Sequence, residues 1–175
     1  MEEPKSLAEA LLPYSIDFGA FVAKFLPRWL TSVVPDFHKE IYRLVPINKR
    51  LAIAAPRGFA KSTIISRFYP LWLACFGLAK DVTIISASET LAIGFLRDIK
   101  REIEQNELIR ECWGDLRTGK WTENHIILST GTQIRARGAG GQIRGFRPDV
   151  IICDDIESDE SVESEEQRKK IKDWL

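Results

Sequence analysis

The stretch LAIAAPRGFAKSTIIS, residues 51–66, constrains the fold more than any other, because an apolar run leads through a short loop to Lys61 and Ser62. A phosphate-binding loop has the pattern G-x-x-x-x-G-K-[ST] between a buried strand and a helix, and its backbone N–H groups surround phosphate oxygens. Here Ala55 and Ala60 occupy the two glycine positions. Alanine keeps the N–H donors and is unfavourable only where the loop requires positive φ or very close approach to the ligand. The flanking sequence must therefore decide whether this is a phosphate loop.

The segments on both sides of the loop have the patterns that a phosphate loop needs. Residues 51–55 form an apolar run of strand length, and residues 62–76 are apolar enough for a buried helix. Gly58 gives the loop one flexible position, and Pro56 fixes how the chain leaves the apolar run. The sequence thus predicts a strand, a loop and a helix in the required order.

The rest of the chain predicts an α/β domain. Residues 81–88 are β-branched and indicate a second buried strand, and residues 125–138 alternate around Ser129, Thr130 and Gly131 as in a β-hairpin. A third apolar strand ends at the aspartates near residue 155. Because helical patterns separate the strands, we expect a three-layer α/β/α sandwich with a mainly parallel central sheet. Residues 1–34 are expected to form a helical lead-in, broken at Pro13 and Pro27.

Composition limits the function classes. A chain of 175 residues with 45% apolar content can bury one substantial core. Lys plus Arg and Asp plus Glu are both 25, so no global basic field indicates nucleic-acid binding, and any DNA contact must be local. No apolar run approaches the ~18 residues of a membrane span, and the acidic start is unlike a secretory leader. Three cysteines without a C-x-x-C pair favour reduced thiols. We therefore expect a cytoplasmic protein without a membrane partner.

A second signal is the pair Asp154 and Asp155, which follows an apolar strand. Ligands of open α/β sheets bind at the carboxyl ends of the strands. In phosphate-loop enzymes the first such aspartate belongs to the Mg²⁺ shell, and the next acidic residue orients the attacking water. A capped strand end would explain a lone pair of aspartates equally well, but the upstream AKST sequence favours the metal site.

Two arginines form a third signal. Arg144 lies in the glycine-rich stretch GGQIRGF, where its guanidinium could neutralise charge on a transferred phosphoryl group. An ordinary solvated loop arginine is the alternative. Arg57 lies inside the phosphate loop, where it either contacts the γ-phosphate or caps the loop, and we favour the first. Both arginines are therefore candidate catalytic residues.

Together, PRGFAKST and the later GQIRGFRPDVIICDDIES resemble the ATPase domain of the large terminase subunit, the motor that packages DNA into tailed-phage capsids. The resemblance covers residues 37–175. It implies a P-loop NTPase domain over residues 35–175, of the additional-strand, catalytic-glutamate class, that hydrolyses ATP with Mg²⁺. The implied partners are double-stranded DNA, the portal protein, the small terminase subunit and further copies of the chain in a ring, all in the host cytoplasm.

The resemblance also assigns roles to residues. Lys61 is expected to contact the β- and γ-phosphates, and Ser62 to ligate Mg²⁺ beside Asp154. Arg57 matches an arginine that responds to the γ-phosphate, and Arg144 matches the arginine finger offered to a neighbouring subunit. The nucleotide-binding set that it implies is Pro56, Arg57, Gly58, Phe59, Ala60, Lys61, Ser62, Thr63, Phe37 and His38.

Phe37 and His38 come from the segment that would lie near the adenine, although a partly exposed histidine at a helix start explains His38 as well. Many relatives have a glutamate directly after the metal aspartate, whereas this chain has Asp155, one methylene shorter. Either Asp155 or Glu157 is therefore the expected catalytic carboxylate, and position favours Asp155.

The family's large subunits continue into a nuclease domain, which does not follow Leu175 here, so no nuclease activity is expected of these residues. Two other functions stay open. One is a different nucleic-acid-dependent P-loop ATPase, such as a helicase. The other is a nucleotide-binding assembly module with little turnover in isolation, because an arginine finger given in trans leaves a single subunit nearly inactive.

Overall fold

The computed structural model describes residues 6–140 and 147–156. Its N-terminal part contains helices α1 (Leu7–Ile16), α2 (Phe18–Phe25) and α3 (Asp36–Leu44), with a 3-10 turn at Pro27–Trp29. Ser6 and Glu9 form a capping box that begins α1. The predicted break at Pro13 is wrong, because α1 continues to Ile16 and the side chain of Asp17 then caps α2.

One helical segment follows the candidate phosphate loop. It consists of α4 (Lys61–Thr63), a π-helical turn (Ile64–Phe68) and α5 (Tyr69–Phe76), and it ends at Gly77, whose φ is 62°. This confirms the helix predicted over residues 62–76. The strand predicted over residues 51–55 is wrong, since that segment is irregular and Leu51 is 42% exposed. A strand needs a hydrogen-bonding neighbour, and none of the described strands pairs with this segment.

Five strands form one sheet in the order β2-β3-β4-β1-β5. They are β1 (Asp81–Ser86), β2 (Arg117–Trp121), β3 (His125–Leu128), β4 (Gln133–Gly138) and β5 (Val150–Asp154), and helices α6 (Glu89–Gln105) and α7 (Glu107–Trp113) lie between β1 and β2 in the chain. The predicted hairpin is confirmed as β3 and β4.

The sheet is mixed, which corrects the expected mainly parallel arrangement. Strand β1 pairs in parallel with β4 and β5, whereas β2–β3 and β3–β4 are antiparallel. The connections from β2 to β4 are short, and only antiparallel neighbours can be joined by short turns.

The core lies between the helices and one face of this sheet. Its central strands contribute alternate residues that the register places on the same face, including Val82, Ile84 and Ile134. Helix α2 contributes Phe21, which is 0% exposed, so the lead-in helices share the core of the rest of the chain. On the opposite face Ile151 is 52% exposed. The helices that contribute to the core cluster therefore pack on the face of the sheet that carries Val82 and Ile84.

A buried carboxylate connects the lead-in to α6. Glu102 is 3% exposed and accepts hydrogen bonds from Arg28 and Trp29 of the 3-10 turn, and from Asn106 at the end of α6. A buried charge is tolerated only when it is paired and hydrogen-bonded, as it is here. In the described part of the chain, no helix has the length and apolar character needed to cross a bilayer.

Candidate functional site

The carboxyl end of β5 meets the first turn after the loop. Asp154 is the last residue of β5, and its Oδ1 accepts a hydrogen bond of 3.0 Å from the Ser62 hydroxyl. Its Oδ2 accepts a second hydrogen bond of 2.7 Å, from the Ser66 hydroxyl. The structure therefore brings together the predicted pair Ser62 and Asp154, which are 92 residues apart in the chain.

Sequence analysis missed Ser66. This residue lies four positions after Ser62, in the π-helical turn, and it is 0% exposed. Residues four apart on a helix share a face, so the S-x-x-x-S spacing is the signal that would have found it. π-Helical turns inside helices are frequent at functional sites.

The loop at residues 56–60 contains a strained alanine. Ala60 has φ 53° and ψ 22°, in the left-handed region, and its carbonyl accepts the first helical hydrogen bond, from the Ile64 N–H. A Cβ in this region costs roughly 1–2 kcal/mol, which is why the pattern has glycine at this position. Gly58, with φ 82°, shares the positive φ without that cost. The alanine at the position of the pattern's second glycine is therefore held in a strained backbone conformation.

Asp155 is strained in the same way. Its φ is 43°, and within the described residues it and Ala60 are the non-glycine positions with positive φ. Its side chain is exposed, and its carbonyl accepts a 3.1 Å hydrogen bond from the Ala87 N–H, which fixes the turn after β5. Strained backbone concentrates at ligand and catalytic sites. Both strained residues thus flank the contact between Ser62 and Asp154.

Lys61 points back into the loop. Its ammonium donates a hydrogen bond to the Ala55 carbonyl, so the side chain spans the loop from its end to its beginning. Helix α4 begins at Lys61 without a side-chain cap. Because the first N–H groups of a helix have no intrahelical partner, this end of the segment is open to an anion.

The start of α3 packs against the same loop. A ring nitrogen of His38, Nε2, lies 3.0 Å from the Phe59 carbonyl oxygen, and the Phe37 and Phe59 ring centroids are 5.2 Å apart. Phe59 is 42% exposed. Phe37 and His38 therefore border the loop through their contacts with Phe59.

The remaining predicted site residues lie in the loop, in the first helical turn or outside the described residues. Pro56 and Arg57 are exposed at the start of the loop, and Thr63 is half-buried in the first helical turn. Arg144 and Glu157 lie outside the described residues, so their roles stay predictions. The choice between Asp155 and Glu157 as catalytic carboxylate stays open with them.

The oxygen donors at this site fit Mg²⁺. The Ser62 hydroxyl and the Asp154 carboxylate are hard ligands that already face each other at 3.0 Å. Mg²⁺ usually takes one or two protein oxygens and completes its octahedron with waters and substrate phosphates. Among the described residues no group of three or more His, Cys, Asp or Glu side chains could hold a metal by itself.

At the end of β5 the site thus joins the Asp154 carboxylate to the hydroxyls of Ser62 and Ser66, next to an uncapped helix start. No family model and no curated protein sequence matches this chain. Its function therefore has to be inferred from these residues and their geometry.

Proposed function

We propose that this chain is a Mg²⁺-dependent ATPase with a P-loop NTPase fold of the additional-strand, catalytic-glutamate class. The observation that carries the proposal is the hydrogen bond between Ser62 and Asp154. Two segments far apart in sequence, which the resemblance assigns together to Mg²⁺, meet at the carboxyl end of a parallel strand. If Asp154 only capped the end of the strand, it would not need a hydrogen bond from a serine at the start of the loop helix.

Each group has a distinct task in this reaction. Lys61 and the N–H groups from Gly58 to Thr63 bind the β- and γ-phosphates, while Ser62 and Asp154 would hold Mg²⁺, which would neutralise charge on the phosphate oxygens. Asp155, or Glu157 in its place, orients a water in line with the γ-phosphorus. The bond from that phosphorus to the β-phosphate oxygen breaks as the bond to water forms, and the water's proton leaves to solvent through the carboxylate.

Arginines and aromatic rings complete the site. Arg57, exposed in the loop, responds to the γ-phosphate. Arg144 supplies its positive charge to the γ-phosphate bound by a neighbouring subunit. Phe37 and His38, which border the loop through Phe59, contact the adenine.

We further propose that hydrolysis drives double-stranded DNA into a viral procapsid, as in the large terminase motors. This step rests on the resemblance of PRGFAKST and GQIRGFRPDVIICDDIES, and the geometry of the site supports the ATPase part alone. The partners would be the portal protein, the small terminase subunit and further copies in a ring. Because this chain has equal numbers of acidic and basic residues, it would contact DNA through a local surface that faces the channel of the ring.

The test is the binding of Mg²⁺ and ATP by a Lys61→Ala variant, measured by calorimetry on the full chain. Loss of the charged contacts to phosphate should weaken binding by about 10- to 100-fold, since a hydrogen bond to a charged group contributes roughly 1.5–3 kcal/mol. Lys120→Ala is the matched control, because Lys120 is exposed on β2, at the edge of the sheet opposite β5. Equal affinity of Lys61→Ala and wild type would refute the proposal.

Phosphate release with and without nucleic acid separates the motor from its alternatives. Stimulation by double-stranded DNA without strand separation favours the packaging motor, whereas unwinding favours a helicase-like ATPase. Nucleotide binding without turnover, even at high protein concentration where neighbouring subunits can share sites, favours an assembly module.

A further inference from the structure

Ser66 is the buried polar residue at this site for which the proposed reaction gives no role. It is 0% exposed, between Ile64 and Phe68, which are buried in the core. Burying a hydroxyl costs about 1–3 kcal/mol unless it is hydrogen-bonded, so an alanine here would pack more easily. A polar side chain at this position therefore needs a specific partner.

That partner is the metal aspartate itself. A buried serine in a helix usually donates to the carbonyl one turn earlier, whereas the Ser66 hydroxyl reaches across to Asp154 Oδ2 at 2.7 Å. Ser62 donates to Oδ1 of the same carboxylate at 3.0 Å. Two hydroxyls from one helical face thus hold the two oxygens of one side chain, which fixes the rotation of the carboxylate.

We propose that Ser66 is a positioning residue for the Mg²⁺ ligand Asp154, an inference that rests on the proposed function. The hydrogen bond from Ser66 occupies Oδ2 of Asp154. Oδ1, on the Ser62 side, is therefore the oxygen that faces the ion. Ser66 itself does not touch the ion. The carboxylate is thereby held as a one-oxygen ligand before the nucleotide binds, which lowers the entropic cost of metal binding.

Removing the hydroxyl should affect the metal and not the nucleotide. In Ser66→Ala the carboxylate keeps only the hydrogen bond from Ser62 to Oδ1 and is held less firmly, and loss of an outer partner of this kind typically changes metal affinity by about 10- to 100-fold. Binding of ADP without metal should stay within about twofold of wild type, because Lys61 and the loop are unchanged. A residue that only supported packing would not separate these two affinities.

The experiment uses Mn²⁺ as the probe, titrated into the full chain with saturating ADP and followed by electron paramagnetic resonance. Binding of ADP is measured in parallel in EDTA. Ser66→Ala should weaken Mn²⁺ binding by about tenfold or more, and Ser66→Thr, which keeps the hydroxyl, should stay within about threefold of wild type. Ser66→Cys, nearly the same size but a weak donor, should behave like Ser66→Ala and replaces it if the alanine variant does not fold.

Thr132→Val is the matched control. Thr132 is 0% exposed, and its hydroxyl donates a 2.7 Å hydrogen bond to the Ala79 carbonyl at the other end of β1. Its loss should lower stability by a similar amount without changing Mn²⁺ affinity. Wild-type Mn²⁺ affinity in Ser66→Ala or Ser66→Cys, or an equal loss in Thr132→Val, would overturn the assignment of Ser66. Failure of the wild-type chain to bind ADP would instead overturn the proposed function.

Discussion

Helix α2 and the loop at residues 56–60 differ in the burial of their side chains and in the strain of their backbone. Phe18, Phe21 and Phe25 of α2 are at most 1% exposed and make edge-on or tilted contacts with neighbouring rings. In the loop, Phe59 is 42% exposed and Ala60 has a positive φ. The aromatic packing around α2 stabilises the fold, so the loop can be open and strained.

The largest expected effect is in the aromatic region. Phe21→Ala should lower the free energy of unfolding by about 3–5 kcal/mol, because a ring that is 0% exposed leaves a cavity. Phe59→Ala, in the loop, should cost less than about 1 kcal/mol, since its ring is partly in solvent. Urea denaturation of both variants without nucleotide makes the comparison. A cost for Phe59→Ala as large as that for Phe21→Ala would show that the loop is part of the stabilising core.

A smaller effect is expected from the loop backbone. Ala60→Gly relieves the positive φ and should raise the free energy of unfolding by up to about 1 kcal/mol, the strain relief being partly offset by the flexibility of glycine in the unfolded chain. Gly58→Ala should lower it by about 1 kcal/mol. Nothing lies within 4 Å of a Cβ added at Gly58, so that change tests the backbone alone.

Thermal unfolding of these two loop variants gives the sign of each change. Nucleotide binding by Ala60→Gly should be unchanged or stronger, since the loop keeps its N–H donors. A destabilised Ala60→Gly would contradict the left-handed conformation of Ala60.

The last effect is a dependence on pH. Burial raises the pKa of Tyr42, which is packed edge-on against Phe18, to about 12 from its ordinary value near 10. The unfolded chain therefore loses this proton first, so the stability that Tyr42 contributes is complete below about pH 10 and is lost as the pH rises through about 12.

Tyr42→Phe removes this titration and should reduce the loss of stability between about pH 8 and 11. The raised pKa values of Tyr69 and Cys75 remain in both proteins, so the difference between them isolates Tyr42. Urea midpoints at the two pH values give the measurement. Equal losses in wild type and variant would mean that Tyr42 ionises as easily in the folded chain as in the unfolded one.

Local patterns predicted much of the fold. The helix after the loop and the β3–β4 hairpin depend on periodicity and turn residues that lie within a few positions of each other. The strand predicted at residues 51–55 failed because this apolar run is neither buried nor paired with any of the described strands, and a strand needs a hydrogen-bonding partner elsewhere in the chain. The mixed sheet was missed for a related reason, since the direction of a strand is set by which strand it pairs with.

The candidate site, like the fold, was predicted only in part. Lys61, Ser62 and Asp154 were predictable, because their residue types and positions after apolar runs indicate phosphate and metal chemistry. Ser66 lies within an apolar helical segment, and its role follows only from its hydrogen bond to the Asp154 carboxylate, which the structure reveals. The strain at Ala60 was not predictable either, since the pattern shows a replaced glycine and not its φ.

By itself, the sequence determined which residues are candidates for phosphate and metal chemistry and where several helices and turns lie, because those depend on side-chain type and local spacing. Tertiary structure alone decided that β5 ends against the loop helix, that Ser62 and Ser66 share one carboxylate, and that the lead-in helices enter the core. The physical reason is that burial and hydrogen bonding between distant segments depend on how those segments pack, which local sequence does not encode.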